Sequence, residues 1–544
     1  MLADHLHRVS SPIHINRLIE HLDQYPQTDV AFELIEGFRQ GFHLQYSGPR
    51  LASNSPNLLS VQRNPELALQ LVLKEVSLGR VAGPFSTRPI YDLRLSPLGL
   101  VPKHDGSMRL IHHLSYPFGE GVNDYIDPDK CSVNYSSFDH AVQMVSDLGP
   151  GSLMGKMDIK SAFRLLPVHP DDFSLLGFRI GQYFFFDKCM PMGCAISCAI
   201  FEKFSTFLEW AAKCVNPSSN IDHYLDDFFF AGRAGTAECS VSMHHFSDLC
   251  LDLGVPLAKN KTVGPTTVLQ FLGLEIDSIN RRIRIPAEKI EILREKLIKI
   301  KECKKATLRD FQSLAGSLNF CSRAIPVARA FIRRFYDVMA TVSKPHHFIR
   351  VSKSLKEDIN MWLVFLDLFN GYCKFPERNW FNDTDLNLFT DSAGVRFGCA
   401  AYLDPHWCHF NWPTSWESSD LARDITCLEL IPIVLAFLIW LSQLSGKKII
   451  LHTDNKALVS VLNKKTSKSK RVMHFLRPFL LHAMLHDIQF RAVHIDGVRN
   501  GISDALSRRQ WARFRHLAPR ADRDPAPVPA VFLSLISDPK LIAY

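Results

Sequence analysis

His223-Tyr224-Leu225-Asp226-Asp227-Phe228-Phe229-Phe230 places two adjacent aspartates between aromatic neighbours. Apolar residues on both sides predict two short strands joined by a tight turn that carries the carboxylates. Such a pair repels and loses hydration unless water or a divalent cation compensates it. A plain surface turn is the competing reading, because turns favour Asp. The surrounding chain bears on the choice. Upstream, Met157-Asp158-Ile159 ends another apolar strand and runs into Lys160-Ser161-Ala162-Phe163. Two such strands side by side would bring Asp158 and Asp226 together. Hard oxygen ligands of this type suit Mg²⁺, with Mn²⁺ the other candidate.

A length of 544 residues predicts three or four domains at about 150 residues each. Apolar residues make up 46% and charged residues 22%, which excludes wholesale disorder and fibrous repeats. The 13 cysteines are odd in number and contain no C-x-x-C, so they read as reduced thiols. Met1 to Pro12 lacks the cationic and apolar regions of a signal peptide. The longest apolar run, Leu430 to Leu441, contains Pro432 and falls short of the ~20 residues that span a bilayer. The expectation is an intracellular protein, cytoplasmic or nuclear, without a membrane segment. Net charge is +8, but residues 281–344 alone hold 16 Lys/Arg against 6 Asp/Glu. The same segment repeats apolar residues at Ile290, Leu293, Leu297 and Ile300, then Phe311, Leu314 and Leu318. That pattern predicts two or three helices with one buried and one basic side. The basic side is either a solvated face or a surface for a phosphate backbone.

The order of elements predicts a helical N-terminal extension over 1–95, with a helix near Glu66 to Leu78. Leu98 to Pro102 and Met108 to His112 predict a hairpin turning at His104-Asp105-Gly106. Residues 153–280 alternate short β-rich runs with helical stretches. The basic helices occupy 281–345 and a connector 346–383. A second α/β pattern covers 384–511, and 512–544 reads as a mobile Pro-rich tail. The predicted fold class is therefore a multidomain α/β (α+β) chain.

The motifs between Ser96 and Gly273 follow one another in a telling order. Ser96 to Lys103 is followed by Lys156 to Phe163, then Met190-Pro191-Met192-Gly193, Tyr224 to Asp227, Lys259 to Thr262 and Phe271-Leu272-Gly273. In this order they resemble a reverse transcriptase with a right-hand arrangement of fingers and palm (96–280) and thumb (281–345). The resemblance implies that Asp158 and Asp226 hold the metals with Asp227 in support. It implies that Phe163 lies under the incoming sugar and excludes a 2′-hydroxyl. Lys103 and Arg109 would contact the triphosphate, and Gly193 would let backbone approach nucleotide and template. Lys261 would give a proton to pyrophosphate, and Phe271 and Gly273 would grip the primer end. Arg294 and Lys301 represent the basic helices as nucleic-acid contacts. Many relatives carry Gln where this chain has Met192, which leaves nucleotide discrimination there open.

A second set of acids lies further on. Leu386 to Asp391 and Ile449 to Asp454 are strands ending in an acid, and Glu429 stands at the start of the apolar run Leu430 to Leu441. His494, Asn500 and Asp504 follow in a polar segment. Acids at two strand ends and one from a buried helix can converge on a metal pair that aligns water for attack on a phosphodiester. Two other readings stand beside this one. Asp391-Ser392-Ala393 is near the signature of a retroviral aspartic protease, although the expected β-barrel pattern is missing. Glu429 could instead be a helix N-terminal acid favoured by the dipole. The pattern resembles ribonuclease H, which implies Asp391, Glu429, Asp454 and Asp504 as metal ligands and His494 as the group assisting product departure.

Polymerase, thumb, connector and nuclease in this order resemble a retrotransposon replication enzyme. Gly79 to Phe85, His223 to Phe228 and Ile495 to Asn500 look like the DIRS-type, tyrosine-recombinase elements, with gypsy-type elements the nearest alternative. The resemblance implies RNA template, DNA primer, RNA–DNA hybrid and deoxynucleoside triphosphates as partners, and a separate recombinase or integrase. Cys194, Cys198, Cys239, His244, His245 and Cys250 lack finger spacing, so no zinc site is expected. An inactive or repurposed nucleic-acid-binding protein and a DNA-templated polymerase of the same fold are the competing functions.

Overall fold

The computed structural model describes residues 11–103, 106–371, 373–375, 386–538 and 541. It divides into two compact units of mixed α/β structure. One runs to Leu272 and includes Ile276–Arg281, and the other holds Gly273–Glu275 and the chain from Arg282 onward.

The centre of the first unit is a four-stranded sheet in the order Val263–Thr266, Leu153–Asp158, Asp227–Gly232, Asn220–Tyr224. Every pairing in it is antiparallel. The strand after the two aspartates is apolar on both faces because both faces are covered. Phe228 and Phe230 pack on Phe246, and Phe229 lies against Phe271 with ring centroids 4.9 Å apart. Helices Phe138–Leu148, Ser197–Val215 and Glu238–Leu253 pack on this sheet. The predicted fingers hairpin forms between Leu98–Pro102 and Met108–His112. Its proposed turn residues His104 and Asp105 lie outside the described residues. The N-terminal segment differs from a helical extension. Leu18, Leu34 and Phe38 belong to the same core as Met157, Ile159 and Phe228, and Val81–Phe85 is a strand paired with Tyr183–Asp187. Its helices are amphipathic, and the sheet's covering helices give their apolar faces a place to bury.

In the second unit, helices Ala287–Glu302, Leu308–Cys321 and Arg333–Met339 follow the basic segment. Leu293, Leu297, Ile300, Phe311, Leu314 and Leu318 are buried, as their spacing predicts, while Ile290 in the first turn is only half-buried. Thr307 caps the second of these helices, its hydroxyl accepting from Asp310 N at 3.2 Å. Beyond helix Lys353–Leu368, residues 376–385 of the expected connector and its border lie outside the described residues. A five-stranded sheet then runs His406–Asn411, Gly398–Leu403, Leu386–Ser392, Lys448–Thr453, Gln489–His494. The first three strands pair antiparallel and the last two join in parallel. Helix Ile425–Ile439 is apolar on all sides because it is sandwiched between this sheet and helix Lys470–Leu485.

The C-terminal segment, predicted as a mobile tail, folds against this sheet. It forms helices Trp511–Leu517 and Ala530–Ile536, with Phe514 and Phe532 fully buried. Trp407 Nε1 donates to Asp522 O at 2.8 Å, and Phe532 meets Phe410 edge-on at 5.1 Å. The prolines separate and start helices here, Pro529 immediately preceding the second one. Among the described residues, no helix is long and apolar enough to cross a membrane.

Candidate active sites

Strand pairing creates the first site. Asp227 pairs directly with Tyr224, so Leu225 and Asp226 form a two-residue loop, with Leu225 at φ +54°. Asp158 on the neighbouring strand stands opposite Asp227, and Ile159 N donates to Asp226 O at 2.9 Å. Two acids directly opposite on an antiparallel pair destabilise each other. Lys261 answers part of this, its Nζ donating to Asp158 Oδ2 at 2.6 Å. Burial, then Asp158, raises the Asp226 carboxyl above its ordinary value. Burial, then Asp226 and Asp158, pushes Asp227 up to about 6. Burial alone would lower Lys261, but Asp158, Asp226 and Asp227 raise it, so it carries a proton at neutral pH. Carboxylates that resist sharing negative charge fit a site completed by a divalent cation.

Asp158, Asp226 and Lys261, though not Asp227, line a cavity of about 590 Å³ together with Lys103 and Arg109. Other expected residues have different surroundings. Phe163 is half-buried, edge-on to Phe201 at 5.7 Å, and is not part of that lining. Gly193 has φ +118°, and a Cβ there would meet His112 O at 2.1 Å, so a close backbone approach within the protein already requires glycine. Phe271 is buried against Phe229 and offers no exposed ring to a primer. Gly273 turns the chain at φ +82°, beside Lys289. Arg294 is held by Asp367 at 2.6 Å, whereas Lys301 is half-buried near the end of its helix.

Parallel register creates the second site. Phe389 pairs with His452, so Asp391 and Asp454 each lie two residues beyond that pair, at the same end of neighbouring strands. Glu429 joins them from the second turn of helix Ile425–Ile439, not from its N-terminus, where Asp424 is the cap. Ligand atoms of Asp391, Glu429 and Asp454 all lie within 4.8 Å of one another, the one such group among the described residues. The Asp158, Asp226 and Asp227 trio is not drawn together to that degree. Glu429 Oε1 accepts from Ser392 Oγ at 2.8 Å, while its Oε2 is buried with no hydrogen-bond partner. Burial, then Asp391, pushes Glu429 up to about 8, and burial raises Asp391 to about 6. An orphaned buried carboxylate oxygen facing two more acids fits a divalent cation.

Asp504 is not within that group, although its charge helps raise Asp391 and Ser507 Oγ meets both residues. Arg508 Nε and Arg513 Nη1 donate to its two oxygens at 2.6 and 2.7 Å. His494 ends the last strand, paired with Thr453 immediately before Asp454. Sequence reasoning missed Ser392 and Ser507, whose hydroxyls donate to Glu429 and Asp391. It also missed Asp187, although Tyr183-Phe184-Phe185-Phe186-Asp187 is an apolar run closed by an acid, the signature that singled out Asp391 and Asp454.

Several known proteins are similar to this chain. The Transposon Tf2-3 and Tf2-7 polyproteins of Schizosaccharomyces pombe (strain 972 / ATCC 24843) are each 21% identical to it over 456 residues. The alignment covers 82% of this chain, which spans about a third (31%) of the length of those polyproteins. A solved structure of the foamy viral protease-reverse transcriptase with double-stranded DNA is 14% identical, covering 88% of this chain and 81% of that one at a TM-score of 0.49. Residues 101–276, which include Asp158, Asp226 and Asp227, match the family described as reverse transcriptase (RNA-dependent DNA polymerase).

Proposed function

We propose that this protein is the RNA-directed DNA polymerase of a retrotransposon and that its second unit is a ribonuclease H acting on RNA–DNA hybrids. The observation that carries the polymerase reading is the two-residue loop that sets Asp226 beside Asp158 and Asp227 at a cavity lined by Lys103, Arg109 and Lys261, inside the segment similar to reverse transcriptases. Asp158, Asp226 and Asp227 would hold Mg²⁺ or Mn²⁺. The cations, when bound, help ionise the primer 3′-hydroxyl and neutralise charge on the leaving pyrophosphate. Lys103 and Arg109 bind the triphosphate, and Lys261 holds a proton at Nζ for the pyrophosphate. In the second unit Asp391, Glu429 and Asp454 would hold the cations, whose charge would favour attack of water on a phosphodiester. His494, one strand over, would help product leave. Asp504 joins as a ligand only by releasing Arg508 or Arg513.

The match of sheet order to carboxylate position supports the nuclease reading: all three acids cluster where the central parallel strands end. Within retrotransposons, the DIRS-type assignment rests on Gly79 to Phe85, His223 to Phe228 and Ile495 to Asn500. Similarity to the Tf2 polyproteins also supports a gypsy-like element. A separate recombinase or integrase then completes insertion. Primer extension on RNA and DNA templates side by side tests the main reading. Mg²⁺-dependent product on RNA supports it. Product on DNA alone favours a DNA-templated polymerase, and binding without product favours a repurposed nucleic-acid-binding protein.

A further inference from the structure

Lining the first cavity is a largely buried chain of charges with no part in the chemistry proposed so far. His112, at the base of the fingers hairpin, places Nδ1 2.9 Å from Asp187 Oδ2 and Nε2 3.3 Å from Gly177 O. The other Asp187 oxygen faces Arg164 Nη1 at 2.8 Å. Arg164 Nε then donates to Glu75 Oε2 at 3.0 Å, and Nη1 also donates to Cys189 O at 3.0 Å. Burial alone would raise Asp187, yet Arg164 and His112 together hold it below the usual carboxylate range.

The position of this chain matters more than its strength. His112 ends the strand that carries Arg109 three residues earlier, and Lys103 continues the partner strand. Arg164 directly follows Phe163. Glu75 sits on helix Pro65–Ser77, and Glu75, His112, Arg164 and Asp187 all line the cavity. One buried carboxylate therefore ties the hairpin bearing the cationic side chains to the segment bearing Phe163. Apolar side chains could fill such a space without loss of stability. A fully bonded ionic chain instead permits one arrangement, because sliding it leaves a buried charge unpaired.

We propose that His112, Asp187 and Arg164 are positioning residues that fix the fingers hairpin over the cavity and so set the affinity for the incoming nucleoside triphosphate. This rests on the polymerase reading. Losing the hairpin's placement weakens binding of the triphosphate in ground and transition state alike, which raises KM and leaves kcat nearly unchanged.

The test is steady-state primer extension by the full chain, comparing wild type with Asp187→Asn and the milder Arg164→Lys. Circular dichroism and thermal melting follow folding. The expected result is a rise in KM for each deoxynucleotide of at least fivefold in both variants, with kcat within twofold and duplex affinity unchanged. His112→Asn, whose amide keeps a donor toward Asp187, should recover part of the wild-type KM relative to His112→Ala. Unmoved KM, or a fall in kcat alone, overturns the proposal. Failure of both Asp187→Asn and Arg164→Lys to fold also overturns it, making the chain purely structural. Wild type that extends no primer overturns the polymerase reading and this proposal with it, whereas active wild type with unmoved KM overturns this proposal alone.

Discussion

Leu225 turns the two-residue loop before Asp227 at φ +54°, a conformation that costs an L-residue roughly 1–2 kcal/mol. The strand before it is anchored by His223, which is buried between two glutamates. Its Nδ1 meets Glu209, and its Nε2 lies 3.3 Å from Glu202. Burial alone would lower the imidazole, but Glu202 and Glu209 override it and push it up to about 9. A base raised in the folded state stabilises fully below its unfolded value near 6.5, and that contribution disappears as pH rises through 9. The first unit should lose about 2–3 kcal/mol between pH 6.5 and 9.5 beyond what His223→Gln loses. Urea unfolding at both pH values checks this, and parallel pH dependence in the two proteins would rule His223 out as the source.

Helices and strands differ in how far their roles follow from local sequence. The basic helix Ala287–Glu302 was legible from its apolar spacing, but which of its cations are free was not. Arg294 is engaged by Asp367, a partner 73 positions away that periodicity cannot reveal. Lys301 is the better candidate for a phosphate contact. Lys301→Glu should flatten the salt dependence of primer–template affinity by about one unit of log–log slope, since each neutralised phosphate contributes ~0.9. An unchanged slope in a salt titration would place this residue outside the interface. The C-terminal segment was misread for a related reason: its prolines were visible, but the places where Phe514 and Phe532 bury were not. Phe532→Ala should destabilise the second unit by about 3 kcal/mol, the ordinary cost of emptying a buried phenylalanine site. Thermal melting measures it, and a negligible shift would argue for the mobile tail after all.

Across the chain, the readable features were those in which a local pattern coincides with its role. An apolar strand ending in an acid marked Asp158, Asp391 and Asp454, and the adjacent pair marked Asp226 and Asp227. Glu429 stood out because a charge is unfavourable in an otherwise apolar helix. Long-range pairings were hidden. His112 reaches Asp187 across 75 positions, and Ser507 reaches Asp391 across 116. Phe163, Phe271 and Gly193 carried roles by resemblance, yet their immediate surroundings are those of packing and turn geometry.

On the proposed function, two carboxylate centres in one chain perform separate chemistry. The most direct measurement assays DNA synthesis on an RNA template and hybrid cleavage in parallel for wild type, Asp226→Asn and Asp454→Asn, all shown to be folded. Removing a cation ligand should cost several kcal/mol of transition-state stabilisation, or roughly a thousandfold in rate. Asp226→Asn should therefore lose synthesis and keep cleavage, and Asp454→Asn should lose cleavage and keep synthesis. Loss of both activities from either substitution, or of neither, would contradict the claim.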